Sequence, residues 1–248
     1  MIIFPMAGES SRFRRAGYSE HKYMLPLNGR YVFDYAVAGF LKNFANEHFR
    51  FVHQPSLTSG EFIRARLEAL GIGSFDIMPI QDPTRGQAET VRIGLRDVEE
   101  STPLTIFNID TFRSNIQLYE ARADSCGELE VFDGEGDNWS FVLESESEIG
   151  VVVETAEKRP ISRLCCTGLY RFANADVFKD AFAQEESLPK SQWQSKELYV
   201  APLYNHIIRR GLRVEYYKID REQVVFCGVP DEYEDLLKDP SGLPIVDL

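Results

Sequence analysis

The chain has 248 residues and sets 27 Lys and Arg against 39 Asp and Glu, a formal net charge of −12. That acidity argues against broad nucleic-acid binding, which draws its affinity from a clustered basic face. A composition of 44% hydrophobic and 27% charged residues argues against wholesale disorder. The opening apolar stretch, residues 1–7, is far shorter than the ~20 residues of a membrane span, and it lacks a basic leader, so neither a membrane segment nor a secretory signal is expected.

Residues 1–6 (MIIFPM) predict a short strand, continuously apolar as where both sheet faces are covered. Residues 7–27 are polar and basic, punctuated by Gly8, Gly17 and Pro26, and read as a loop of a length that is often functional. Over residues 1–30, Arg12, Arg14, Arg15, Lys22 and Arg30 face only Glu9 and Glu20, a local +3 that leaves −15 for the rest. A basic patch confined to one loop of an acidic protein favours a small anionic ligand; a merely solvated loop is the alternative. From Tyr31 the spacing turns helical, with Val32, Tyr35, Ala36, Gly39 and Phe40 on one face. A strand over 49–53, a helix over 62–70 and a strand over 75–80 follow. A helix over 90–98 comes after the loop at 84–86, and an apolar strand over 104–109 ends at Asp110. This alternation predicts a mostly parallel sheet with helices on both faces.

The second half reads as β-rich. Residues 129–132, 140–143, 149–154 and 164–172 are short strand candidates between acidic or glycine-containing turns. Helices are predicted near 175–182 and over 196–210, an edge strand over 212–219, and a capped helix over 231–238 after Pro230. No internal repeat or clear linker interrupts the chain, so one α/β domain with a β-rich elaboration is expected. Cys126, Cys165, Cys166 and Cys227 form no CxxC pair, and two of them are adjacent. They suit neither a structural zinc site nor an easy disulfide, and read as small buried hydrophobes in a reducing cytoplasm. The 17 Phe, 11 Tyr and 2 Trp suit the face of a homo-oligomer or the core equally.

Two places carry chemistry. Asp110 ends an apolar strand, at the sheet edge where open α/β proteins place ligands. A carboxylate there can hold Mg²⁺ or can cap a following helix. In the loop at 7–15 (AGESSRFRR), amides near Gly8, hydroxyls of Ser10 and Ser11, and Arg12 can surround a phosphate chain. The loop is neither GxxxxGK[ST] nor GxGxxG.

The run from Ile3 to Arg30 closely resembles the N-terminal signature of sugar-phosphate nucleotidyltransferases, AGxGSRF followed by PKxxLPVxGKP. Ala7, Gly8, Ser11, Arg12 and Phe13 match its first part, and Lys22, Leu25, Pro26 and Gly29 its second. Residues 81–91 (QDPTRGQAETV) resemble the base-contacting segment, and Asn108-Ile109-Asp110 the NxD that holds the catalytic metal. Glu157-Lys158 resembles the EKxxxS segment, residues 167–172 the GxYxF strand, residues 196–202 the acceptor segment and Gly228–Asp231 the late GTPED. The matches run in the family's order over residues 2–235. Three departures stand out: Ser10 replaces a glycine, His21 replaces the proline before the lysine, and Phe226 falls where many relatives carry a second metal-binding aspartate.

The resemblance implies a Rossmann-like, three-layer α/β/α nucleotidyltransferase fold, GT-A-like, with a mostly parallel mixed sheet. Residues 1–110 would be the nucleotide-binding core and 111–248 the acceptor half of one domain. The implied reaction transfers a nucleotidyl group from a nucleoside triphosphate to a sugar 1-phosphate with release of pyrophosphate. It would use Mg²⁺ at Asp110, with Asp220 as a second ligand if the register shifts. Arg12, Lys22, Asp110 and Lys158 would be catalytic. Ala7, Gly8, Ser10, Ser11, Arg12, Gln81, Gly86, Gln87, Thr90 and Asn108 would bind nucleotide, and Glu157, Lys158, Gly168 and Glu197 the acceptor. The overall look is nearest to bacterial enzymes of capsule or surface-polysaccharide assembly. Alternatives are a cytidylyltransferase for a non-sugar acceptor such as phosphocholine or phosphoglutamine, and an inactive nucleotide-binding regulatory subunit.

Overall fold

The computed structural model describes residues 1–56, 58–118 and 122–245. In chain order the elements are β1 (Ile2–Met6), α1 (Ser11–Arg15), β2 (Pro26–Leu27), β3 (Arg30–Tyr31), α2 (Val32–Ala38), β4 (Phe49–His53), α3 (Ser59–Leu70) and β5 (Phe75–Pro79). Then come α4 (Gln87–Gly94), β6 (Leu104–Phe107), β7 (Thr111–Arg113), β8 (Ser125–Asp133), β9 (Ser140–Glu144), β10 (Val152–Glu157) and β11 (Leu164–Phe172). The chain continues through α5 (Ala175–Ser187), α6 (Tyr204–Arg209), β12 (Arg213–Ile219), β13 (Val224–Phe226) and α7 (Pro230–Lys238). No helix among the described residues is long and apolar enough to cross a membrane.

The mixed α/β class is as the sequence predicts, and two compact units interleave along the chain. The parallel unit comprises Ile2–Pro83, Asn108–Leu118 and Glu222–Leu248. Its β4 lies between β1 and β5, parallel to both, with Phe4 opposite Phe51 and Phe51 opposite Ile77. Ile2, Ile3, Phe4, Phe49, Phe51 and Val52 are fully buried, which is why these strands read as unbroken apolar runs. Phe33 of α2 and Ile63 and Leu67 of α3 are also fully buried. Two small antiparallel pairs complete the unit: β2 with β3 across the left-handed Asn28 and Gly29 of a tight hairpin, and β7 with β13.

The β-rich unit comprises Met1, Thr84–Phe107 and Tyr119–Arg221. Strand β11 pairs antiparallel with β6, β8 and β9, and β10 pairs antiparallel with β9. Strand β12 adds to β8 in parallel. Fourteen of the 17 phenylalanines are buried, so the aromatic complement mainly fills the interior. Cys165, Cys166 and Cys227 are buried free thiols, and burial pushes all three well above the ordinary thiol range.

Four sequence expectations are corrected. The long loop at 7–27 contains α1 and a 3₁₀ turn at Lys22–Met24; both are too short for a periodicity to register. The helix expected over 90–98 starts earlier, at Gln87, because Gly86 adopts φ 148° and redirects the chain one residue before it. No helix follows Asp110: Thr111–Arg113 is a strand, which removes the capping reading of that carboxylate. The expected helix over 196–210 is an irregular segment, a 3₁₀ turn at Ala201–Leu203 and then α6, with Pro202 in the 3₁₀ turn.

Candidate active site

In the parallel unit, β1 leads through Ala7 and Gly8 to Ser10, whose φ of 51° is a left-handed conformation that glycine adopts freely. The serine in the family's glycine position therefore keeps a glycine-like backbone. Its Oγ accepts the backbone N–H of Lys22 at 3.1 Å, which ties the loop to the 3₁₀ turn. Phe13, Tyr18 and Tyr233 pack edge to face, with ring centres 5.6–6.1 Å apart, and seat α1 against α7. Arg12, Arg14 and Arg15 stay exposed and form no ion pair among the described residues.

The Lys22 ammonium meets the Asp110 carboxylate at Oδ2, with the two side chains 24% and 20% exposed. On the other flank, Cys227 donates its backbone N–H to the Asp110 carbonyl at 2.8 Å. Phe226 pairs with Thr111, so the residue next to Asp110 in the chain lies opposite an apolar side chain at the position where the resemblance expects an aspartate. A Cβ on Gly228 would lie 3.1 Å from Asp110 Oδ2, a tight contact that would press on this carboxylate. Glu232 accepts the N–H groups of Gly228 at 2.8 Å and Val229 at 3.2 Å and is committed to capping α7. Asn108 belongs to the same segment as Asp110, and Gln81 is an exposed residue of this unit.

One carboxylate fits a Mg²⁺ ion that takes the rest of its shell from phosphates and water, since Mg²⁺ is typically held by one or two carboxylates plus substrate. It does not make an all-protein cage: among the described residues no three His, Cys, Asp or Glu side chains cluster. Asp220 belongs to the β-rich unit, just after β12.

In the β-rich unit, Gly86 closes the base-segment loop. A Cβ there would stand 2.5 Å from the Leu198 carbonyl oxygen and 2.6 Å from its nitrogen. The close approach lets Ala88 N–H donate to Leu198 O and Leu198 N–H to Arg85 O, both at 2.9 Å. The expected base segment and the expected acceptor segment are thus joined by backbone hydrogen bonds. Thr90 is buried, with its hydroxyl on the Gly86 carbonyl at 3.2 Å and 2.8 Å from Thr84 Oγ1, so it closes the loop, while Gln87 opens α4.

Glu157 and Lys158, the expected acceptor residues, sit where β10 ends. Glu157 is buried; its carboxylate accepts from Ser140 Oγ at 2.5 Å, and its N–H donates to Gln194 Oε1 at 2.9 Å. Burial raises its pKa, opposed by the Ser140 hydrogen bond and the Lys158 charge and reinforced by Glu197. Lys158 has φ 54°, an uncommon conformation for lysine, and donates its backbone N–H to Trp139 O at 2.8 Å. Its ammonium donates to Tyr199 Oη at 2.7 Å and lies 4.5 Å from the Tyr199 ring centre. Burial disfavours the charged lysine, but Tyr199, Glu157 and Glu197 outweigh it and its pKa is raised. Gly168 has φ 101° in β11, where the register shifts between Cys166 and Tyr170. Glu197 is exposed on the irregular segment. Ser140, Gln194 and Tyr199 are the residues that sequence reasoning missed.

No protein-family model matches the chain, and no curated protein matches it. A solved nucleoside-diphosphate-sugar pyrophosphorylase from Vibrio cholerae RC9 is 44% identical, with a TM-score of 0.91 over 96% of this chain and 100% of that one. The inositol-1-phosphate CTP transferase from T. maritima is 17% identical, with a TM-score of 0.70 over 98% of this chain and 97% of that one. A UDP-glucose pyrophosphorylase from Acinetobacter baumanii is 14% identical, with a TM-score of 0.69 over 97% and 94%. The last two likenesses are of fold alone. Identity of 44% across nearly the whole of both chains, on the same fold, shows more: this chain belongs to the nucleoside-diphosphate-sugar pyrophosphorylases.

Proposed function

We propose that the protein transfers a nucleotidyl group from a nucleoside triphosphate to a sugar 1-phosphate. A phosphate oxygen of the acceptor attacks the α-phosphorus, the bond to the bridging α–β oxygen breaks, and pyrophosphate leaves with that oxygen. The meeting of Lys22 and Asp110, in the unit that also carries three unpaired arginines, is the observation that carries this reading. No protein nucleophile is needed; catalysis is alignment and stabilisation of charge on phosphoryl oxygens.

Arg12 would hold the β- and γ-phosphates by charge-assisted hydrogen bonds, and Lys22 the α- or acceptor phosphate. Asp110 would hold Mg²⁺, which when bound offsets triphosphate charge as a Lewis acid. Lys158, kept cationic beside Tyr199, would meet the acceptor phosphate, and Glu157 and Glu197 would accept hydrogen bonds from acceptor hydroxyls. The product suits the assembly of a surface polysaccharide, to which the AGxxSRFxxxGY pattern also points.

The test is pyrophosphate release measured for four nucleoside triphosphates against sugar 1-phosphates, inositol 1-phosphate and phosphocholine. Turnover confined to one nucleotide and a sugar 1-phosphate is expected. It should fall at least about 100-fold in Asp110→Asn, while thermal unfolding stays two-state. Turnover only with a non-sugar phosphate replaces the acceptor, and tight nucleotide binding without turnover for any acceptor replaces the enzyme with a binding subunit.

A further inference from the structure

We infer that Lys22 is the resident cation of Asp110 in the nucleotide-free protein, and that a divalent metal reaches this carboxylate only together with a triphosphate, which takes the displaced ammonium. The inference rests on the proposed function and adds an order and a coupling to it.

The position of Lys22 is fixed from its backbone outward. Its N–H is held by Ser10 Oγ at 3.1 Å, its carbonyl accepts from Leu25 at 3.2 Å, and its neighbours His21 and Tyr23 are 5% and 2% exposed. His21 and Tyr23 stack with ring centres 5.4 Å apart, which anchors the turn from the other side. The backbone therefore has little freedom, and the ammonium reaches Asp110 Oδ2 from a set origin. Asp110 in turn is placed by Cys227 N–H on its carbonyl and by the bare Gly228 beside its carboxylate.

The charges decide what this pair can admit. Phe226 offers no second carboxylate, and Glu232 is held by two N–H groups of the α7 cap. Asp110 and Lys22 are neutral as a pair. A divalent ion entering alone would set three positive charges against one carboxylate, and would have to strip the lysine from its partner with nothing to receive it. A triphosphate reverses both terms: its oxygens complete the metal's shell and accept the released ammonium. Linkage makes the effect reciprocal, so the nucleotide tightens the metal by the factor by which the metal tightens the nucleotide. Breaking the Lys22–Asp110 pair then becomes the step that delivers Lys22 to a phosphate.

Mn²⁺ binding, followed by the electron paramagnetic resonance of free Mn²⁺, tests this without turnover. The full-length protein is titrated alone and with an α,β-methylene triphosphate of the nucleotide that supports activity. Without nucleotide, Lys22→Met should bind Mn²⁺ at least tenfold more tightly than the unaltered protein. That gain should vanish in Lys22→Met/Asp110→Asn and be absent in Lys22→Arg, which keeps the cation. Thermal melts without metal verify that each variant is folded. Equal Mn²⁺ affinity of the unaltered protein and folded Lys22→Met overturns the inference alone, provided that Mn²⁺ uptake with the analogue still depends on Asp110. Uptake with the analogue that is indifferent to Asp110→Asn overturns the metal reading in the proposed function as well.

Discussion

Ser10 shows how one atom ties a strained backbone to a functional side chain. Its φ of 51° suits glycine, yet the serine hydroxyl is what holds the Lys22 N–H. Ser10→Ala keeps the strained conformation and loses the acceptor, so it should cost about 1 kcal/mol in urea unfolding. It should also lower turnover by loosening Lys22. Ser10→Gly loses the same acceptor but relieves the backbone, so its stability loss should be the smaller of the two. Equal losses would show that the positive φ carries no strain. At this scale compact motifs in the sequence singled out Arg12, Lys22 and Asp110, and the structure brings Lys22 and Asp110 together. The sequence was silent on Ser140, Gln194 and Tyr199, which reach Glu157 and Lys158 from 17, 37 and 41 residues away with no spacing to mark them.

At the scale of elements, the parallel strands were legible because burial on both faces leaves no polar position: β4 occupies residues 49–53 as predicted. The strand expected over 149–154 is β10, three residues further on: the apolar Ile149 that opened the expected run is exposed and lies outside the strand. The start of α4 was missed because the deciding contact is long-range: Gly86 against the backbone of Leu198. That contact is testable. A Cβ at residue 86 meets backbone atoms at 2.5–2.6 Å in a conformation unfavourable to alanine, and backbone cannot yield as a flexible side chain would. Gly86→Ala should therefore cost about 3 kcal/mol and loosen the Ala88–Leu198–Arg85 hydrogen bonds. Gly60→Ala in α3, where a Cβ meets nothing within 4 Å, should be neutral or stabilising by about 0.5 kcal/mol. Urea midpoints for the two variants check this; similar midpoints would remove Leu198 as the cause.

At the scale of the whole molecule, the net charge is −12, and two buried histidines of the parallel unit link stability to pH. Burial lowers His21 and His53 below the ordinary imidazole value of 6.5, and the Arg14 charge lowers His21 further. Among the described residues His21 Nδ1 has no hydrogen-bond partner, and its ring stacks on Tyr23; His53 Nδ1 lies 3.3 Å from Ser59 Oγ. Above about pH 6.5 both rings are neutral in the folded and unfolded states, and their full contribution to stability is present. As the pH falls through that value the unfolded chain takes up protons first, so stability is lost until the folded-state values are passed. Each histidine steepens this loss by up to about 1.4 kcal/mol per pH unit. Urea unfolding between pH 7.5 and 5 should show the midpoint falling with acid, and His21→Gln/His53→Gln should flatten the fall because neither glutamine titrates. A double variant whose midpoint drops as steeply as that of the unaltered protein would assign the acid sensitivity to the carboxylates instead.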